Sequence, residues 1–219
     1  MDAILTGNLI DLCAVAMLLL SLLAMAASRM GQLINAFAIQ SLFLAALAFV
    51  VGFSTGRFGI FLIGGIAFGV KVIFIPWFLR YTSFRIKAGS EVDSSVGIPS
   101  SLLISAALII LSYFVTTPLS DSIDMITVNC LAISTSMIMI GLFMMATRKK
   151  AIAMAIGLLT IENGLFLGVL SISYGMPLLV EIGIFFDVVM VAVIVGIFAF
   201  RISETFNTID VSFLRRLKD

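Results

Sequence analysis

Seven long apolar runs divide this chain of 219 residues, and they constrain its fold more than any short motif does. A membrane-spanning helix needs about 20 mostly apolar residues, because the hydrocarbon layer is roughly 30 Å thick and each residue rises about 1.5 Å. None of the runs alternates apolar and polar residues as a barrel strand does. The sequence therefore predicts an all-α integral membrane bundle of seven transmembrane helices. The runs cover residues 4–27, 35–54, 58–80, 99–118, 124–147, 151–172 and 178–201.

The composition agrees with this fold class and excludes several kinds of site. Hydrophobic residues make up 62% of the chain and charged residues 11%, and the mean hydropathy is +1.25. Histidine is absent, which excludes bis-histidine haem, histidine metal ligands and the commonest general base. Cys13 and Cys130 lie in different runs, so we expect no iron–sulfur or zinc site. We expect no cofactor, metal or catalytic residue in this chain. We also expect the first run to be a transmembrane helix rather than a cleaved signal peptide.

The basic residues predict the orientation of the bundle. All but two of the 13 Lys and Arg residues fall in one set of alternate loops and the C-terminal tail; the exceptions are Arg57 and Lys71. Because cytoplasmic loops are enriched in Lys and Arg, we expect the N-terminus outside and the C-terminus in the cytoplasm. We therefore expect a protein that crosses its membrane several times.

The polar loop 81–98 is the predicted boundary between two halves. The N-terminal half comprises residues 1–98, which hold three spans and this cytoplasmic loop, together with the fourth span, 99–118. The C-terminal half, residues 119–219, holds three spans and a cytoplasmic tail. Apolar residues in the tail recur at spacings of three and four, which predicts an amphipathic helix. Such a helix lies on the membrane surface or docks a cytoplasmic partner, and both alternatives stay open.

Five ionisable side chains lie inside the runs, where charge is energetically unfavourable. A charge at the bilayer centre costs about 2.5–3.5 kcal/mol on insertion scales, so such residues usually face protein or water and often mark an ion path. Counted at the helical rise, Lys71, Glu162 and Asp187 lie roughly 14–20 Å from the ends of their runs, near the bilayer centre. Asp11 and Glu181 lie closer to the outer face and are secondary candidates for the same path.

A lysine and two carboxylates at one depth can exchange a proton. Burial favours the neutral forms and pairing favours the charged forms, so small movements of Lys71, Glu162 and Asp187 would shift a proton among them. The alternative is a static ion pair that fixes helix packing; we favour the relay because apolar packing would be less costly. Asn163, which follows Glu162, is a further secondary candidate. Asn163 and Gly164 together would let a neighbouring helix approach closely and form hydrogen bonds.

The segment FLIGGIAFGVKVIFIPWFLR, residues 61–80, predicts an irregular helix around Lys71. Gly69 precedes the lysine and Pro76 follows it. Because proline has no backbone N–H group, Pro76 cannot donate the helical hydrogen bond to the Val72 carbonyl. We expect a kink or local unwinding here, which a membrane tolerates only inside protein or beside water. A simple kink that improves packing is the alternative interpretation.

Several segments resemble the hydrogenase-4 component E family of membrane subunits. They are KVIFIPWFLRY (71–81), TIENGLF (160–166), LVEIGIFFDVVMVAVIV (179–195) and NTIDVSFLRRLKD (207–219). The C-terminal half is also similar to the K subunit of respiratory complex I and the C subunit of multisubunit sodium/proton antiporters. The carboxylates of their second and third helices correspond to Glu162 and Asp187, although the third-helix acid is Asp here rather than Glu.

The resemblance implies a non-redox membrane subunit of an energy-converting respiratory complex, of the membrane-bound nickel–iron hydrogenase or formate hydrogenlyase type. Its implied partners are antiporter-like membrane subunits, complex I-like membrane and peripheral subunits, and a nickel–iron hydrogenase module. The iron–sulfur clusters and the nickel–iron centre would belong to those partners. Glu162 and Asp187 would pass protons or sodium ions between neighbouring subunits, and Lys71 would tune their charge. The resemblance also implies a prokaryotic plasma membrane as the location. We expect contact with lipid and none with nucleic acid.

Three other functions remain as alternatives. A retinal protein also has seven spans and an intramembrane lysine, but Lys71 lies in the third span rather than the last. A stand-alone ion-coupled transporter of small molecules would use Glu162 and Asp187 as coupling sites, although the two halves show no repeat of the kind common in transporters. A structural spacer would need none of these charges.

Overall fold

The structure, a computed structural model, describes residues 3–56, 58–85, 91–119 and 128–173, and the regular elements in these ranges are all helices. Helix α3, a π-helical segment and α4 follow one another without a break and together span Phe58–Arg85. A short 3-10 turn, Thr117–Leu119, extends α5. The helices are α1 (Ala3–Ala26), α2 (Met30–Thr55), α3 (Phe58–Ala67), the π-helix (Phe68–Phe74), α4 (Ile75–Arg85), α5 (Ile98–Thr116), α6 (Val128–Thr147) and α7 (Ala151–Ser173).

Six helical stretches of the described chain are long and apolar enough to cross a membrane. They correspond to the first six predicted runs, so the all-helical membrane fold is confirmed for this part of the protein. The predicted seventh span, 178–201, lies outside the described residues, and with it Glu181, Asp187 and the tail. The seventh helix and the orientation of the termini therefore stay predictions.

Helix α2 begins at Met30, five residues before the predicted start of the second span. The predicted run starts at Asn35, and both Asn35 and Gln32 are exposed in the structure. The helix continues through them because its other face is apolar and packs inward. That face consists of buried residues at helical spacing, namely Met30, Leu33, Ile34 and Phe37.

The described ends of the bundle differ in charge. We call the end that holds Arg29, Arg148, Lys149 and Lys150 the basic end; the loops 27–29 and 148–150 lie there. The extended segment 91–97 crosses this end and pairs with both loops. The Val92 N–H donates to the Ser28 carbonyl at 2.8 Å, and the Ser95 N–H donates to the Thr147 carbonyl at 2.9 Å. The described part of the predicted boundary loop thus contacts helix ends from both halves of the chain.

Buried apolar side chains form two clusters, one toward each end of the bundle. The basic-end cluster includes Met25, Phe37, Leu79, Met144 and Leu159. The far-end cluster includes Met17, Leu47, Ile60, Ile133 and Leu167. Along α1, α2 and α7 the two clusters are separated by two helical turns, or roughly 10 Å. These gaps run from Met17 to Ala24, from Phe37 to Leu44 and from Leu159 to Phe166.

Arg148 joins α1 to the end of α6. Its side chain is buried, and Nη2 donates to the carbonyl oxygens of Met25 at 2.5 Å and Ala24 at 3.4 Å. The last carbonyls of a helix have no partner within the helix and carry partial negative charge. A guanidinium there donates hydrogen bonds to these carbonyls and compensates their charge. Burial lowers the pKa of the Arg148 guanidinium from its ordinary value.

We expect Arg148→Met to lower the free energy of unfolding by about 1.5 kcal/mol, because it removes hydrogen bonds from a charged donor to buried carbonyls. Lys149→Met is the matched control. Lys149 is the exposed neighbour, so its replacement should change stability by less than about 0.5 kcal/mol. Unfolding in mixed detergent micelles, followed by circular dichroism, measures both. Equal losses in the two variants would show that Arg148 does not cap α1.

Candidate functional site

Lys71 and Glu162 form an ion pair inside the helical bundle. Lys71 Nζ lies 3.0 Å from Glu162 Oε1, and the two side chains are only 1% and 4% exposed. Lys71 comes from the π-helix and Glu162 from the middle of α7. The structure thus brings together two of the three residues that the sequence places near the bilayer centre.

Lys71 is the central residue of the π-helix, which ends at Phe74, two residues before Pro76. Its last turn is closed by a hydrogen bond from the Ile75 N–H to the Val70 carbonyl, five residues back. A π-turn holds more residues than an α-turn, and such turns occur often at functional sites. The sequence predicts an irregularity here, and the structure has it as a widened helix. A Cβ atom at Gly69 would meet nothing within 4 Å, so this glycine is not required by close packing.

Asn163 connects the ion pair to α2. Lys71 Nζ donates to Asn163 Oδ1 at 3.4 Å. Asn163 Nδ2 in turn donates to Gln40 Oε1 at 3.4 Å and to Ser41 Oγ at 3.2 Å. All of these side chains are buried, so the amide of Asn163 satisfies partners on two other helical segments at once.

Gln40 continues the hydrogen bonds to α1. Its Nε2 donates to Ser21 Oγ at 2.7 Å and to the Met17 carbonyl at 3.3 Å. Ser21 Oγ also donates to the Met17 carbonyl, at 3.0 Å. A continuous set of buried polar groups therefore extends from the π-helix and α7 through α2 to α1. We call this set the polar layer; its side chains are Ser21, Gln40, Ser41, Lys71, Glu162 and Asn163.

The polar layer lies between the two apolar clusters. Ser21 falls in the gap on α1, Gln40 and Ser41 in the gap on α2, and Glu162 and Asn163 in the gap on α7. Polar contacts therefore extend from helix to helix at one level of the bundle. An apolar cluster lies on each side of this level.

Phe166 adds an aromatic contact to the pair. Lys71 Nζ lies 5.6 Å from the centroid of the Phe166 ring. The face of an aromatic ring attracts a cation, and the attraction is larger where water is excluded. Lys71 therefore meets the Glu162 carboxylate, the Asn163 oxygen and an aromatic face, and each of the three stabilises an ammonium group.

The other candidate residues lie elsewhere. Asp11 on α1 contacts α6 through a weak bond from Cys130 Sγ to Asp11 Oδ1, at 3.9 Å. It lies before Met17 and thus on the far side of the gap that holds the polar layer on α1. Glu181 and Asp187 are outside the described residues. Within the described ranges, no group of three His, Cys, Asp or Glu residues could hold a metal ion.

Sequence reasoning identifies Lys71, Glu162 and Asn163 but misses Gln40, Ser41 and Ser21. The available signal is a glutamine inside the run 35–54, where an uncharged amide is costly unless it is hydrogen-bonded. Serine gives a weaker signal, because its hydroxyl often bonds the carbonyl four residues back in its own helix. Ser21 makes such a bond and also accepts one from Gln40.

Comparison with known proteins gives two kinds of relative. An uncharacterised protein of Mycobacterium tuberculosis is 28% identical over 212 residues, which are 96% of each chain. Hydrogenase-4 component E of Escherichia coli K12 is 26% identical over 152 residues, 69% of this chain and 70% of the relative. This chain is distantly similar to hydrogenase-4 component E.

The protein of the same name from Shigella flexneri matches with the same values. No protein-family profile and no solved structure matches the chain. The similarity of the C-terminal half to the K subunit of complex I and to the C subunit of antiporters stays a prediction.

Proposed function

We propose that this protein is a non-redox membrane subunit of an energy-converting hydrogenase complex. We further propose that its Lys71–Glu162 pair takes part in moving protons, or sodium ions, within the membrane. The distant similarity to hydrogenase-4 component E supports the first part. The ion pair buried in the polar layer supports the second.

The buried ion pair is the observation that carries the mechanism. Removing two charges from water is costly, and well-packed apolar side chains of similar volume often give equal or greater stability. Ionisable residues inside transmembrane segments are accordingly rare, and they commonly mark ion pathways. Lys71 and Glu162 make a better functional site than a structural one for this reason.

The geometry allows a proton to move between two well-defined states. At 3.0 Å the Lys71 ammonium can pass a proton to the Glu162 carboxylate and leave two neutral groups. A charge that arrives in a neighbouring subunit would shift the balance between these states, because Coulomb interactions are strong where water is excluded. Asp187 is the proposed next acceptor. Asn163 and Gln40 hold positions and do not themselves gain or lose protons in this scheme.

The direction of the polar layer favours transfer between neighbouring subunits. Its hydrogen bonds cross from helix to helix at one level, with apolar clusters on both sides. A path along the bundle axis would have to pass these clusters, where the buried hydroxyls of Ser134 and Ser136 donate to main-chain carbonyls. Transfer within the membrane plane follows the polar layer instead, and it suits a subunit whose redox chemistry lies in its partners.

Mass spectrometry of the proteins that co-purify with a tagged copy tests the complex. The copy is extracted from its native membrane in mild detergent. We expect antiporter-like subunits together with iron–sulfur and nickel proteins. Recovery of the chain alone would contradict the proposal and favour the stand-alone transporter.

Glu162→Gln in the intact complex tests the role of the pair. We expect electron transfer to continue while ion translocation falls at least about tenfold, since the amide cannot accept the proton from Lys71. Inverted membrane vesicles report both activities, and the pH gradient and sodium uptake are recorded separately to identify the ion. Glu91→Gln, at an exposed loop position, is the matched control. Translocation that survives Glu162→Gln, Asp187→Asn and Lys71→Ala together would show that the protein is a spacer.

A further inference from the structure

Both the nitrogen and the oxygen of the Gln40 side-chain amide form hydrogen bonds. The side chain is buried in the middle of α2. Its nitrogen donates to two acceptors on α1, the Ser21 hydroxyl and the Met17 carbonyl. Its oxygen accepts from Asn163 Nδ2 at 3.4 Å. The amide therefore joins α1 to α7 through α2.

The Met17 carbonyl determines which way this amide points. A backbone carbonyl can only accept a hydrogen bond, so the group of Gln40 that faces it must be the donor, Nε2. Gln40 Oε1 then necessarily faces α7. A reversed amide would set its oxygen against the Met17 carbonyl and its nitrogen against the Asn163 nitrogen, and would lose both bonds.

The orientation of Gln40 in turn sets the orientation of Asn163. With Gln40 Oε1 and Ser41 Oγ as its acceptors, Asn163 Nδ2 points toward α2. Asn163 Oδ1 is left facing Lys71 Nζ, from which it accepts a hydrogen bond. An oxygen at this place stabilises the ammonium, whereas a nitrogen would present N–H groups to it and favour the neutral amine. A backbone carbonyl on α1 thus affects a charge on the π-helix through two amides.

We propose that Gln40 is a positioning residue for the Lys71–Glu162 pair. By fixing the Asn163 oxygen toward Lys71, it holds the pair in its charged state, with the proton on Lys71 Nζ and the Glu162 carboxylate ionised. Its importance for ion movement rests on the proposed function, but the proton position does not. When Gln40 is lost and Asn163 rotates, one proton leaves Lys71 Nζ and bonds to Glu162 Oε1, and the net charge of the pair is unchanged.

Infrared spectroscopy of the full chain in lipid nanodiscs can locate this proton. A protonated carboxyl group has a carbonyl band distinct from that of a carboxylate, and its loss in Glu162→Gln assigns the band to Glu162. We expect a weak band in the wild type and a band about fivefold stronger in Gln40→Met, the population shift expected for loss of one buried hydrogen bond. Gln32→Met is the matched control, an exposed glutamine on the same helix, and should leave the band unchanged.

A second variant covers the case in which Gln40→Met does not fold. Ser21→Ala removes the shorter of the two hydrogen bonds that hold Gln40 Nε2 toward α1 and leaves only the 3.3 Å bond to the Met17 carbonyl. Gln40 is then held less firmly, so the band should rise about twofold. A strong Glu162 band already present in the wild type would overturn the charged resting state. An unchanged band in both variants would overturn the positioning role of Gln40, even if unfolding measurements show lower stability. Neither result bears on the hydrogenase complex, which co-purification tests separately.

Discussion

Lys71→Met alone will destabilise the protein more than Lys71→Met combined with Glu162→Gln. The single substitution removes the ammonium group 3.0 Å from the Glu162 carboxylate and leaves that carboxylate buried. Breaking a buried pair by removing one partner typically costs about 3–5 kcal/mol, whereas replacing both partners is often nearly neutral. We therefore expect the double variant to regain most of the loss. Reversible unfolding in mixed micelles gives the free energy of unfolding for each.

The exposed pair Lys150–Asp93 provides the control for this experiment. Its atoms are 3.6 Å apart, and the two side chains are 23% and 61% exposed. A solvent-exposed pair contributes about 0–1 kcal/mol, so Lys150→Met should have a small effect. If the double variant at Lys71 and Glu162 is as unstable as the single one, the loss comes from packing rather than from unpaired charge.

The same double variant separates the two interpretations of the pair. If the pair only fixes helix packing, regaining stability should also regain ion translocation in the complex. If the pair moves a proton, translocation stays lost although the protein is stable, because neither of the two substituted side chains can gain or lose a proton. Vesicle assays on the single and double variants decide between these outcomes.

The sequence predicts the depth of the site in the membrane but not the contacts between its side chains. Apolar runs locate six helices to within a few residues, since helix length and hydrophobic thickness are linked. The helical rise then places Lys71 and Glu162 at a similar depth. It does not give the direction in which each side chain points, and the π-helix changes that direction for Lys71 by adding residues to the turn. Their contact is therefore apparent only in the folded chain.

The uncharged members of the polar layer are harder to predict for a different reason. A buried charge costs several kcal/mol and is easily recognised in an apolar run. A buried hydroxyl, by contrast, can donate a hydrogen bond to a carbonyl of its own helix. Ser105, Ser112 and Ser136 all bond the carbonyl four residues back, and so does Ser21. Only the additional bond from Gln40 distinguishes Ser21, and that bond depends on how α1 and α2 pack.

The contact between α6 and α7 depends on glycines that leave no room for a side chain. A Cβ atom at Gly141 would lie 2.6 Å from Ile161 Cγ1 and 2.8 Å from the Gly157 carbonyl oxygen. A Cβ atom at Gly157 would lie 3.1 Å from the Gly141 carbonyl oxygen. Small residues let transmembrane helices approach in this way, and the close backbones supply much of their attraction. Because Ile161 directly precedes Glu162, this contact also positions the ion pair.

Gly141→Ala is accordingly expected to lower the free energy of unfolding by about 3 kcal/mol, at the upper end for overpacking, because a backbone oxygen moves only if the helix moves. Displacement of α7 would carry Glu162 away from Lys71, so we expect ion translocation in the complex to fall as well. Gly65→Ala is the matched control, since a Cβ atom there meets nothing within 4 Å. Unfolding and vesicle assays measure both variants. Equal stability of the two would contradict the requirement for glycine at the contact between α6 and α7.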